Sequence, residues 1–112
     1  MEVKGTNLFM TRGDSESITV TCTKNGTKVS FTSGDIIHFT MKKHINDRNF
    51  VLQKIITDFT DGKAIIEILP EDTKDLQFKK YVYDIQWTTT EGRVSTIVRP
   101  SEFTIGPEIT DA

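Results

Sequence analysis

Between Lys80 and Thr88 the chain reads KYVYDIQWT, and every second residue is large and apolar or aromatic. Tyr81, Tyr83, Ile85 and Trp87 take one phase; Val82, Asp84 and Gln86 take the other. A period of two is the repeat of a β-strand, whose successive side chains point to opposite faces. The same alternation recurs at Ile18, Val20 and Cys22, at Ile37, Phe39 and Met41, and at Ala64, Ile66 and Ile68. Helical periodicity is almost absent. A chain patterned in this way buries its apolar residues only by packing sheets face to face or by closing a sheet on itself.

Turn residues divide the chain into short segments. Strands are expected at 7–11, 17–23, 29–32, 35–43, 50–57, 64–69, 80–90 and 94–106. Asn25-Gly26 predicts a tight hairpin turn, since both residues tolerate positive φ. PEDTKDL, 70–76, fits one helical turn or a crossing loop, with Leu76 tucked inward. Pro100 lacks the ladder donor, so it predicts an edge position or a bulge in the last strand. Seven or eight strands at this spacing indicate an all-β sandwich or barrel. The 112 residues suffice for one domain with its own core. No linker divides the domain 1–112; residues 1–7 are expected to form a short arm and 107–112 a tail.

Charge names no partner. Lysine and arginine number 14 against 16 acidic residues, with no basic run, so nucleic acid is not expected. No stretch approaches the ~20 apolar residues of a membrane helix, and no membrane is expected as partner. Cys22 is the single cysteine. It lies in phase with Ile18 and Val20, which predicts a small, inert core residue and no intrachain disulfide. His38 and His44 are six residues apart on one expected strand and its end, too few ligands for a zinc site. Asp58, Asp61, Glu71, Asp72 and Asp75 lie in expected loops without the spacing of a calcium loop. No nucleophile elbow and no glycine-rich phosphate loop occurs. Neither an enzyme nor a cofactor is expected.

Two sets of residues qualify as interaction candidates. Arg12-Gly13-Asp14 spells a tripeptide known as an integrin-binding signal. In its place before the strand of Ile18 and Val20 it reads first as a turn, with Gly13 at a bend, Asp14 bonding to the backbone of Glu16 or Ser17, and Arg12 pointing to water. Phe9, Phe59 and Phe78 fall in turns or near a terminus. They suit interface anchors or a sugar-stacking platform. Capping the open ends of the sandwich is the plainer reading for Phe59 and Phe78.

The crossing loop followed by KKYVYDIQW resembles the approach to strand F of immunoglobulin-like folds, where a tyrosine bonds back to the loop before it. Tyr81 or Tyr83 would fill that role. The position two residues after Tyr81 is Tyr83 rather than cysteine, unlike antibody domains. The order RGDSESITVT, NGTKVSFTSGDIIHFTMKK, LQKIITDFTDGKAIIEILPEDTKDL and YVYDIQWTTTEGRVSTIVRPSEFTI is similar to a family of phage and prophage structural modules. These are the N-terminal immunoglobulin-like domains of the upper baseplate proteins of phages infecting Gram-positive bacteria. The matching positions include Gly26, Val29, Phe31, Gly34, Ile37, Phe39, Met41 and Lys42, then Asp61 to Leu69, Tyr81 to Ile85, and the end at Glu102 to Ile105, where Ser101 and Glu102 replace the glycine of the family pattern. The resemblance covers residues 8 to 110. It implies a non-enzymatic virion protein of the baseplate, tail or neck that assembles with other phage proteins or with copies of itself. The N-terminus MEVKGTNLFM lacks the apolar run of a signal peptide, so synthesis in the host cytoplasm and residence in the virion are the expectation. The alternatives are a module recognising host-surface carbohydrate and, third, an adhesion module using Arg12 to Asp14.

Overall fold

The strand with the clearest alternation lies at the centre of the larger sheet. In the computed structural model, which describes residues 1–108, ten strands and one short helix are found. They are β1 (Glu2–Lys4), β2 (Asn7–Thr11), β3 (Glu16–Val20), β4 (Cys22–Lys24), β5 (Thr27–Val29), β6 (Ile36–Lys42), β7 (Leu52–Ile56), β8 (Ala64–Ile68), α1 (Pro70–Thr73), β9 (Lys79–Thr88) and β10 (Val94–Gly106). Residues 109–112, the end of the expected tail, lie outside the described residues.

The domain is mostly β. Six strands form a mixed sheet in the order β1-β2-β10-β9-β6-β7; β3 pairs with β8 and β4 with β5 in two small sheets. All neighbours are antiparallel except β2 and β10, which run parallel from Phe103↔Leu8 to Gly106↔Thr11. The alternation of β9 becomes alternate burial: Tyr81, Tyr83, Ile85 and Trp87 are buried, while the residues between them are half-exposed. Directly opposed residues share a face, so Ile37, Phe39 and Met41 of β6 line up with Trp87, Ile85 and Tyr83. Val20 of β3 and Ala64, Ile66 and Ile68 of β8 join the same core. The small sheet therefore covers one face of the larger one. Aromatic rings interlock inside, with Phe39 5.4 Å from Tyr83 and Phe103 5.8 Å from Tyr83 between centroids.

Polar groups that enter this core have partners. The Tyr81 hydroxyl donates to the Gln77 carbonyl at 2.8 Å, and the Tyr83 hydroxyl donates to the Thr6 carbonyl. The expected helical turn is α1; the Asp72 carboxylate accepts the Leu69 N–H at 2.7 Å and pairs with Lys54 of β7 at 2.7 Å. Asn25 and Gly26 sit at φ 52° and 77°, as the expected hairpin between β4 and β5 requires.

Several expectations need correction. Among the described residues the count is ten strands in three sheets, more than seven or eight. The expected strand 17–23 breaks at Thr21, because β3 follows β8 only as far as Val20↔Ala64; the chain then pairs Cys22 with Val29. The expected strand 29–32 ends at Val29, and Phe31 leaves it to enter the core, its N–H on the Gly62 carbonyl at 3.0 Å. The expected arm 1–7 contains β1, which pairs with β2. Ile18 and Cys22 are half-buried against the core and not inside it. Among the described residues no helix is long and apolar enough to cross a membrane.

Candidate interaction sites

The tripeptide begins where β2 ends. Arg12 continues the ladder, its N–H on the Gly106 carbonyl at 2.9 Å, and the Asp14 N–H closes a turn on the Thr11 carbonyl at 3.2 Å. Gly13 occupies the third place of that turn at φ 83°, a conformation that glycine adopts without strain. Its N–H donates to Oγ1 of the fully buried Thr73 at 2.8 Å, which fastens the turn to α1. The Asp14 side chain is exposed, and the turn is closed by its backbone rather than by a bond from its carboxylate to Glu16 or Ser17.

Arg12 does not point to water. Its Nε and Nη2 donate to the two carboxylate oxygens of Glu108 at 3.1 and 2.7 Å, and Nη1 donates to the Leu76 carbonyl at 3.2 Å. The guanidinium lies 4.2 Å from the centre of the Phe78 ring. Two-pronged carboxylate pairing and stacking on an aromatic face are what a planar guanidinium does best. The Arg12 hydrogen bonds hold the Glu108 carboxyl below its usual range. The guanidinium an adhesion signal needs is thus spent inside the molecule.

The aromatic candidates fall in three different places. Phe78, 49% exposed, carries the Arg12 guanidinium on one face of its ring. Phe59 packs on Phe31 with ring centres 5.5 Å apart, at the end of the core that Trp87 also lines. Phe9 lies on the outer face of the larger sheet beside Thr104. Of the six candidates, Arg12, Gly13, Asp14 and Phe78 cluster at one end, and no shared aromatic platform forms. His38 and His44 are half-exposed and exposed. Among the described residues no three His, Cys, Asp or Glu side chains gather closely enough to hold a metal ion.

The chain matches no known family model and no curated protein.

Two carboxylates that sequence reasoning passed over have unusual surroundings. Asp35 is 5% exposed. Its Oδ2 accepts the Thr32 N–H at 2.9 Å and its Oδ1 the Thr90 N–H at 3.2 Å, so one side chain ties the turn before β6 to the turn after β9. Burial pushes its pKa up, but the Thr32 and Thr90 donors outweigh this and hold it below the ordinary value; the Trp87 indole, which has no hydrogen-bond partner of normal length, adds to the same effect. The sequence signal was present in retrospect: T-x-x-D before a strand places an acid where it can accept the N–H of the residue three back, as Asp35 does from Thr32. Asp84 faces the other way, into a cleft of about 90 Å³ on the outer face lined by Thr40, Lys42, Ile45 and Pro100. Burial raises its pKa, and Lys42 offsets part of that rise. Asp84 has no second carboxylate among that cleft's lining residues with which to divide acid and base roles.

The larger sheet is also open on one side. β10 has 13 residues, yet β2 covers only Phe103 to Gly106. From Val94 to Arg99 it has β9 on one side and, among the described residues, no strand on the other. Register shifts between Thr96 and Val98 and between Val98 and Ser101 bend this stretch, and Pro100 sits in the second, at a bulge as expected.

Proposed function

We propose that the domain is an immunoglobulin-like sandwich that serves as a structural module of a phage or prophage virion and acts by protein–protein assembly. What supports the sandwich is the strand order. β10-β9-β6-β7 follows the G-F-C-C′ order of that fold, and the β3–β8 pair follows B–E. The Tyr81 bond to a carbonyl four residues upstream has the form of the tyrosine corner at the start of strand F.

One observation carries the assembly reading: among the described residues, the sheet is left unpaired along half of its longest strand. Unpaired backbone donors and acceptors on an edge are a template for another chain. Neither rival has a comparable feature. Glycan recognition lacks a grouped aromatic platform, and adhesion lacks an available Arg12. The test is sedimentation of particles released from cells that carry this gene. A structural module co-sediments with intact particles at a fixed ratio to the other virion proteins. Recovery only in the particle-free supernatant overturns the reading.

A further inference from the structure

We infer that the open stretch of β10, Val94 to Arg99, is a docking slot for one extended segment of a different protein, apolar at alternate positions and carrying a carboxylate at each end. The inference rests on the assembly reading and names the place and the partner's chemistry.

The slot has defined ends. At one end the turn that starts at Thr89 closes it, through the Thr89 N–H on the Arg93 carbonyl at 2.8 Å. At the other, the β1–β2 hairpin blocks it: Thr6 and Ser101 hydroxyls meet at 2.7 Å, and the Asn7 side chain accepts the Glu102 N–H at 3.0 Å. Between them lies room for about six residues, roughly 20 Å of extended chain. The other outer strands of the sheet are less suited. β1 has three residues, and short edges template poorly. β7 runs beside β8, with Lys54 held by Asp72 of α1.

The slot's side chains ask for an apolar strand. Val94 is 59% exposed, and Ile97 and Val98 are only half-buried against the core. A strand added along β10 would extend the ladder and complete the burial of Ile97 and Val98.

Charge decides against a second copy. Arg93 and Arg99 bracket the slot; both are exposed, and neither guanidinium has an ion-pair partner among the described residues. In an antiparallel pair of two β10 edges whose two-fold axis passes through Thr96, Arg93 of each copy faces Arg99 of the other. Like charges directly opposed destabilise a strand pair. The two register shifts also twist the edge, so that two identical bulged strands do not match. A foreign strand with terminal carboxylates escapes the charge clash and pairs with both arginines, and it has one bulged edge to follow rather than two to match.

The probe is a capped peptide as long as the slot, alternating valine and threonine with aspartate at each end. Binding is followed by backbone amide NMR of the whole chain. The expected result is shifts concentrated at Val94 to Arg99. The same peptide N-methylated at alternate amides keeps its side chains but loses ladder donors, and is expected not to bind. Arg93→Glu with Arg99→Glu is expected to weaken the aspartate peptide at least tenfold, and a lysine-ended peptide to recover binding, which also shows that the variant is folded. Absence of shifts in the slot, equal binding of the methylated peptide, or equal binding by the reversed variant overturns the inference. A virion complex that survives the double charge reversal overturns the slot and leaves assembly standing. Peptide binding in the slot without any virion complex supports the slot and overturns the assembly reading.

Discussion

Arg12 and Asp14 are two residues apart and have opposite fates. Arg12 is held by Glu108, the Leu76 carbonyl and the Phe78 ring, whereas the Asp14 side chain is exposed. Arg12→Ala is therefore expected to lower stability beyond the roughly 0.5 kcal/mol that bounds ordinary surface substitutions, and Asp14→Ala to stay within it. Urea unfolding of the two variants side by side checks the contrast; equal midpoints would remove Arg12 from the fold's support. Asp35 carries a second expectation, on pH. Its folded pKa lies below the ordinary carboxylate value, so the stability it supplies is present above the unfolded pKa and is lost as pH falls through the folded one. Wild-type protein should lose stability progressively on acidification below about pH 4. Asp35→Asn should cost about 1–3 kcal/mol near neutrality, since an amide cannot accept from both Thr32 and Thr90. The variant's acid limb should be flatter, and a limb of unchanged slope would deny Asp35 its role.

At the scale of elements, the turns and the phases of the strands were legible and the partners were not. Asn25-Gly26 and the alternation of β6, β8 and β9 announce themselves within a few residues, because turn chemistry and side-chain period are local. The break at Thr21 is not local. It depends on where β8 starts, more than forty residues later, and nothing in ITVTC marks it. Proline's missing donor predicted an edge position or a bulge at Pro100; how far the open edge runs beside it depends on the length of β2 and was not foreseeable. The second turn shows how tightly these connections are built. Asp61 and Gly62 take φ 52° and 74°, and a Cβ at Gly62 would lie 2.6 Å from the Ser30 side chain. Gly62→Ala combines left-handed strain with a clash at the place where Phe31 enters the core. It is expected to cost more than an alanine at a positive-φ glycine with free space around it, such as Gly13, where left-handed strain alone costs about 1–2 kcal/mol. Thermal melts of the two variants measure the difference, and a Gly62→Ala protein as stable as Gly13→Ala would refute the contact with Ser30.

At the scale of the whole molecule, the core is built around two phenols that must remain neutral. The shared alternation predicted that Ile18, Val20, Phe39, Ile66, Tyr83, Ile85 and Trp87 are buried together, and all are except the half-buried Ile18; the destination of each tyrosine hydroxyl required the folded chain. Tyr81 reaches back four residues to Gln77, within reach of a sequence reading, whereas Tyr83 reaches Thr6 at the opposite end of the chain. That second bond ties the β1–β2 hairpin to the centre of the sheet, and β2 in turn sets where the open edge of β10 begins. Burial raises the pKa of both phenols above the ordinary 10.0, and for Tyr81 the Gln77 hydrogen bond opposes part of the rise. The folded state thus favours the protonated form. The stability this confers is complete below the unfolded pKa and is lost as pH rises through the folded one. The expected outcome is cooperative unfolding above about pH 10, with phenolate absorbance appearing together with loss of β-sheet circular dichroism rather than before it. Tyr81→Phe with Tyr83→Phe gives up two hydrogen bonds, about 1 kcal/mol each, near neutrality. In return its stability should fall less steeply with pH through the alkaline range, because no phenol remains to ionise. Phenolate absorbance that rises at the ordinary pKa while the sheet stays intact would mean that both hydroxyls reach solvent in the folded protein, and that the hairpin is not held by Tyr83.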